Sequence, residues 1–135
     1  MTPLSRLFNR FIDHISKTIG AMKRLVFWSA CAVILILSLS PAEHLPEQLF
    51  SIWDIAQHAL AFAGLMVLGL WAYPSRGKPL AIGLLAYGLG IEFAQAATGW
   101  RYGEAADLMA DAVGIALVWV WRQRLKRQDT TSTET

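Results

Sequence analysis

Asp54 and His58, Glu92 and Gln95, and Asp107 and Asp111 form three pairs, each set in an apolar stretch of the chain. The members of a pair are three or four residues apart, so on a helix they share one face. Arg101 lies in the short segment between the last two pairs. An ionisable group in hydrocarbon costs roughly 3 kcal/mol on insertion scales, so such residues mark function by default. His58 titrates ordinarily near neutrality, which suits a proton acceptor or nucleophile. Asp54 or Glu92 would orient it. Arg101 offers the planar fork that grips phosphate. Gln95 and Asp111 would join Arg101 in contacting a substrate. Asp107 and Asp111 could serve as acid, base or metal ligand.

The charge balance narrows the chemistry. Asp54, Glu92, Asp107 and Asp111 bring up to four negative charges; Arg101 and a protonated His58 bring two positive ones. Four close carboxylates cannot all stay ionised in a low dielectric. Either some hold protons or the site takes up a cation, and hard divalent ions prefer such oxygen ligands. A divalent metal is therefore one reading, although no tight motif such as His-Glu-x-x-His is present. Two residues have plainer explanations. Ser51-Ile-Trp-Asp54 resembles a capping box, and Asp107 falls where a helix dipole favours a carboxylate.

The elements that must carry these residues are membrane helices. Of 135 residues, 55% are apolar and only 16% charged, against about 25% charged in a soluble domain. Four spans are expected, over about 25–40, 52–73, 80–98 and 105–121. Nineteen helical residues cover roughly 28 Å, near the hydrocarbon thickness. Pro41 and Pro46, the run 74–79, and Gly99 to Gly103 separate them. Counted inward at 1.5 Å per residue, Asp54, Gln95 and Asp107 lie roughly 4–6 Å deep, and His58, Glu92 and Asp111 roughly 10–12 Å. Three helix faces meeting at one depth make a pocket open to one leaflet.

Lys and Arg set the orientation. With the N-terminus cytoplasmic, eleven of the twelve are inside and only Arg101 is outside, a strong positive-inside pattern. Both termini are then cytoplasmic, and Trp100 to Glu104 lies outside. The cluster Arg122 to Arg127 reads as a stop-transfer anchor near anionic lipid, which argues against a nucleic-acid partner. A cleaved signal peptide is the alternative for the first span, but a 24-residue leader and Pro41 argue against it. Cys31 is the single cysteine and allows no internal disulfide.

Three regions result: 1–22, 23–123 and 124–135. Leu4, Leu7, Phe8, Phe11, Ile12, Ile15 and Ile19 recur at helical spacing, with Arg6, Arg10, Asp13 and Lys17 filling the rest of the wheel. This predicts an amphipathic interfacial helix ahead of the bundle. The last segment is basic, then polar. Gly83, Ala86, Gly90 and Ala94 in the third span, with Ala106, Ala110 and Gly114 in the fourth, suggest that these two helices pack closely. The fold class is all-α, a four-helix transmembrane bundle.

The string Asp54-x3-His58-x3-Phe62, then Gly90-x-Glu92-x2-Gln95-x5-Arg101-x5-Asp107-x3-Asp111-x2-Gly114, resembles the VanZ-like family of small bacterial membrane proteins. The likeness covers about residues 50–121. Two positions depart from the family's pattern: Ile55 stands where it usually has Lys, and Asp111 where it usually has Asn. Both make this site more negative. The resemblance implies a multi-pass protein of the bacterial plasma membrane. Some members are linked to low-level resistance to a glycopeptide antibiotic, and the family has been grouped with proteins proposed to act on lipid headgroups. Three functions fit the residues: an enzyme acting on a phosphate-bearing lipid or polyprenyl carrier, a non-catalytic binder of lipid or envelope precursor, and a proton-coupled transporter. The inner half of every span lacks ionisable residues, which argues against the transporter.

Overall fold

The computed structural model describes the backbone of residues 3–40, 47–99 and 105–132, and the side chains of residue 4 and of 7–40, 55–99 and 105–128. Four helices follow one another: α1 (Pro3–Leu39), α2 (Glu47–Ala72), α3 (Gly77–Thr98) and α4 (Ala105–Ser132). Three stretches are long and apolar enough to cross a membrane: Leu7–Leu39, Ile55–Ala72 and Gly77–Thr98. The fourth helix is not among them, because Asp107, Asp111 and Arg122 interrupt its apolar run. Its outward face is nonetheless apolar, with Met109, Val113, Leu117, Val120 and Trp121 all exposed.

The separate amphipathic helix expected over residues 4–19 is instead the first half of α1, which runs unbroken for 37 residues. No proline lies between Pro3 and Leu39. Gly20 alone costs only about 1 kcal/mol relative to alanine, too little to stop a helix. The apolar stripe from Leu4 to Ile19 stays exposed, and α1 touches the bundle through Phe27, Cys31 and Ile34 farther along. Among the described residues it packs on α2 and α3 and not on α4.

The core is Phe27 and Cys31 of α1, Phe62, Leu65, Met66 and Ala72 of α2, Leu84 and Ile91 of α3, and Ile115 of α4. The tightest approach is between α2 and α4, where a Cβ on Gly114 would strike the Ala59 carbonyl. α3 and α4 do pack together, but not through the small-residue stripe expected on α3; Gly88 is the glycine of α3 that meets Asp111 of α4. Gly83 and Gly90 have nothing within 4 Å of where a Cβ would stand, and Ala86 is exposed. On α4, Gly114 packs against α2.

The two poles of the bundle differ. At one, α2 turns into α3 through Tyr73–Gly77, with Arg76 N–H donating to the Tyr73 carbonyl at 3.0 Å. Arg122 of α4 donates to the Pro74 carbonyl. Trp28 Nε1–H donates to Tyr73 Oη at 3.1 Å, Phe27 meets the Tyr73 ring edge-on, and Lys23 Nζ lies 5.1 Å from the centre of the Trp71 ring. This pole is aromatic and basic. The opposite pole is acidic.

Candidate functional site

At the acidic pole the C-terminal ends of α1 and α3 meet the N-terminal parts of α2 and α4. His58 comes from α2, one turn before Phe62, and the two rings lie 7° from parallel with centroids 6.5 Å apart. Glu92 and Gln95 come from the last two turns of α3. Asp107 lies in the first turn of α4, where the unpaired N–H groups and the helix dipole favour a carboxylate. Asp111 follows one turn later on the same face.

All five side chains are buried: His58, Glu92, Gln95, Asp107 and Asp111. His58 Nδ1 stands 3.0 Å from Asp111 Oδ1. One donor atom from each of His58, Glu92 and Asp107 lies within 4.8 Å of the other two. The expected separation into a shallow and a deep tier therefore collapses into one cluster. Among the described side chains it holds three carboxylates and one imidazole. The placed contacts of Lys23 and Arg122 are at the opposite pole.

Asp111 is a partner of the imidazole. The sequence assigns Asp111 a substrate or metal contact and Asp54 or Glu92 the orienting role, since depth alone does not tell which carboxylate faces Nδ1; the side chain of Asp54 lies outside the described residues. The pairing is possible because Gly88 faces Asp111: a Cβ there would overlap Asp111 Oδ2. Sequence reasoning missed Gly88. Its signal was position, since Gly88, Glu92 and Gln95 recur at four and three residues and share a helix face.

Gln95 does more than adjoin the cluster. Its Nε2 donates to the Ser38 carbonyl at 3.0 Å, satisfying one of the last carbonyls of α1, which lack intrahelical partners. Below, Thr98 Oγ1 donates to the Gln95 carbonyl at 2.7 Å. Gly99, at φ 78°, ends α3 in the left-handed conformation that glycine reaches without a Cβ penalty. Beneath the cluster, the Phe62 ring packs on Tyr87, whose hydroxyl donates to the Cys31 carbonyl at 2.5 Å. Asp111 Oδ2 and Gln95 Oε1 are buried with no hydrogen-bond partner among the described residues.

Two expected site residues are not part of this geometry. Arg101 lies outside the described residues, as does the side chain of Asp54. The Asp54 backbone belongs to α2, seven residues after its start at Glu47. Ser51 is thus inside the helix, and the capping-box explanation for Asp54 fails. Asp54 precedes His58 by one turn and so shares its face.

The arrangement can hold a proton on any of three carboxylates, accept one at His58, or bind a cation between His58, Glu92 and Asp107. Comparison with protein-family models, with curated proteins and with solved structures gives no significant match.

Proposed function

We propose that the chain is a VanZ-like plasma-membrane protein whose acidic pocket acts on a phosphate-bearing lipid, such as a phospholipid or polyprenyl phosphate, at the outer leaflet. The observation that carries this reading is the buried His58–Asp111 pair, 3.0 Å apart, beside Glu92 and Asp107. Membrane-buried ionisable groups are expensive to keep, and a purely structural bundle needs none of them. With Nδ1–H donating to Asp111, His58 Nε2 carries the lone pair. That tautomer accepts a proton or holds a cation. Glu92 and Asp107, each with an oxygen within 4.8 Å of an imidazole nitrogen, supply the acid that protonates a leaving oxygen. Arg101 grips the phosphate.

In this reading α4 is the fourth span, with its exposed apolar face toward lipid and its aspartates inward. The basic pole, with Lys23, Arg76, Lys78 and Arg122, faces the cytoplasm. Topology is tested with cysteines placed at Ser75 and Gly103 in a Cys31→Ser background. Position 103 should label from outside and position 75 only after permeabilisation. Labelling of position 75 in intact cells would reverse the pocket's leaflet.

The functional test is reconstitution into vesicles containing phosphatidic acid or polyprenyl phosphate, with release or transfer of the headgroup measured. Turnover by the wild-type chain is expected. Saturable lipid binding without turnover would make the protein a binder of lipid or envelope precursor that uses the same pocket. Arg101→Lys keeps the charge but loses the two-pronged grip, and should raise the KM for lipid more than it lowers kcat.

A further inference from the structure

We propose that His58, Glu92 and Asp107 form a binding site for one divalent cation of the zinc or manganese class. The inference rests on the headgroup reading and deepens it: with the ion bound, His58, Glu92 and Asp107 would serve as its ligands, and the ion would polarise the phosphate in place of a free base and acid.

Three observations carry it. The first is convergence. Donor atoms from three different helices, an imidazole nitrogen and two carboxylate oxygens, lie within 4.8 Å of one another. Donors about 2.1 Å from one zinc ion stand roughly 3.4 Å apart at a tetrahedral angle. A modest inward turn of the three side chains closes the difference. One imidazole with two carboxylates suits zinc or manganese better than the soft ions that thiolates select.

The second is the residue behind the imidazole. Metal-bound histidines almost always donate their other N–H to a carboxylate or carbonyl, which fixes the tautomer and raises ligand basicity. Asp111 Oδ1 stands 3.0 Å from His58 Nδ1; with Nδ1–H donating to Asp111, the proposed ligand nitrogen is Nε2.

The third lies outside the three ligands. Asp111, 0% exposed, and Gln95, 1% exposed, each keep one side-chain oxygen with no hydrogen-bond partner among the described residues. Asp111 sits one turn from Asp107, and Gln95 one turn from Glu92, each on the ligand-bearing face. Buried oxygens left over at a site rich in negative charge favour a cation, or water held by one. An open coordination position would let a phosphate oxygen share the ion, and three protein ligands plus one open position is the arrangement of catalytic zinc sites.

The test uses the full chain in detergent micelles, stripped with a chelator and titrated with Zn2+ alone, no lipid present. One equivalent per chain should bind and raise the melting temperature. Glu92→Gln and Asp107→Asn should each weaken binding at least tenfold, and Asp111→Asn by about 10–100-fold, the usual effect of losing such a supporting partner. His14→Ala, on the exposed face of α1, should leave the titration unchanged. X-ray absorption of the zinc-loaded wild type needs no variant. It should show nitrogen and oxygen neighbours with a single imidazole. Binding well below one equivalent, equal affinity in Glu92→Gln and Asp107→Asn, or a sulfur neighbour would overturn the proposal. Headgroup turnover that persists in fully stripped protein would sink the metal and leave the lipid reading standing. Stoichiometric zinc with no turnover on any lipid would do the reverse.

Discussion

Replacing His58 with alanine should lower headgroup turnover per molecule by about 10²–10⁴-fold, the usual loss when a proton-transferring side chain is removed. Membrane abundance should stay near the wild-type level. The substitution takes away the partner of a fully buried carboxylate, but Asp111 can relieve its charge by taking up a proton. Glu92→Gln keeps the shape and should give a loss of similar size. A purely structural polar network would behave differently. Both variants would then lose protein, while the molecules that remain kept their full activity. Quantifying abundance and turnover in the same membranes separates the two. Full activity in His58→Ala would end the assignment of this pocket as a reactive site.

Gly114→Val should be the most damaging packing change. A Cβ at this position meets the Ala59 carbonyl and the Ala63 amide of α2. Backbone cannot step aside as a flexible side chain can. Overpacking commonly costs 1–3 kcal/mol, and here it also pushes Asp111 away from His58, since the two helices in contact are the ones carrying that pair. Lower melting temperature and lower abundance are expected together. Gly83→Ala is the matched control, because the space beside Gly83 is open and alanine is the better helix former by about 1 kcal/mol. Its melting temperature should equal or exceed that of the wild type. Equal stability of Gly114→Val and wild type would mean that α2 and α4 do not meet as described.

These glycines also show what the sequence could say. Helix positions were legible because apolar length and proline punctuation are strong local signals, and three of the four expected spans coincide with helices long and apolar enough to cross a membrane. The polar cluster was legible because charged residues in apolar helices stand out. Which face of α3 the other helices cover was not. Gly90 and Glu92 are two residues apart and so face opposite sides of α3. A stripe through Gly83 and Gly90 could never share an interface with Glu92. Choosing between those faces requires knowing which one the other helices cover, and that is decided by long-range packing. The choice of Asp111 as the imidazole's partner was hidden for the same reason. Depth along a helix follows from counting residues, whereas contact across helices depends on rotation about their axes. The length of α1 was misjudged on a different ground. A change in pattern, from amphipathic to wholly apolar at Lys23, was taken for a break in the backbone, yet periodicity reports on surroundings and leaves hydrogen bonding untouched.

A helix of 37 residues is a stiff rod about 55 Å long. It is clamped well past its midpoint by Phe27 and Cys31 in the core and tethered near its end by the amide of Gln95 on Ser38. A rod held off-centre is a lever with a long and a short arm. Tilting the long arm that bears Leu4 to Ile19 swings the short arm that bears Ser38 the other way. The load then falls on a hydrogen bond made by a side chain one turn from Glu92. Mechanical strain applied near Lys23 at the basic pole is thereby delivered to Ser38 at the acidic one, about 22 Å away along the helix axis.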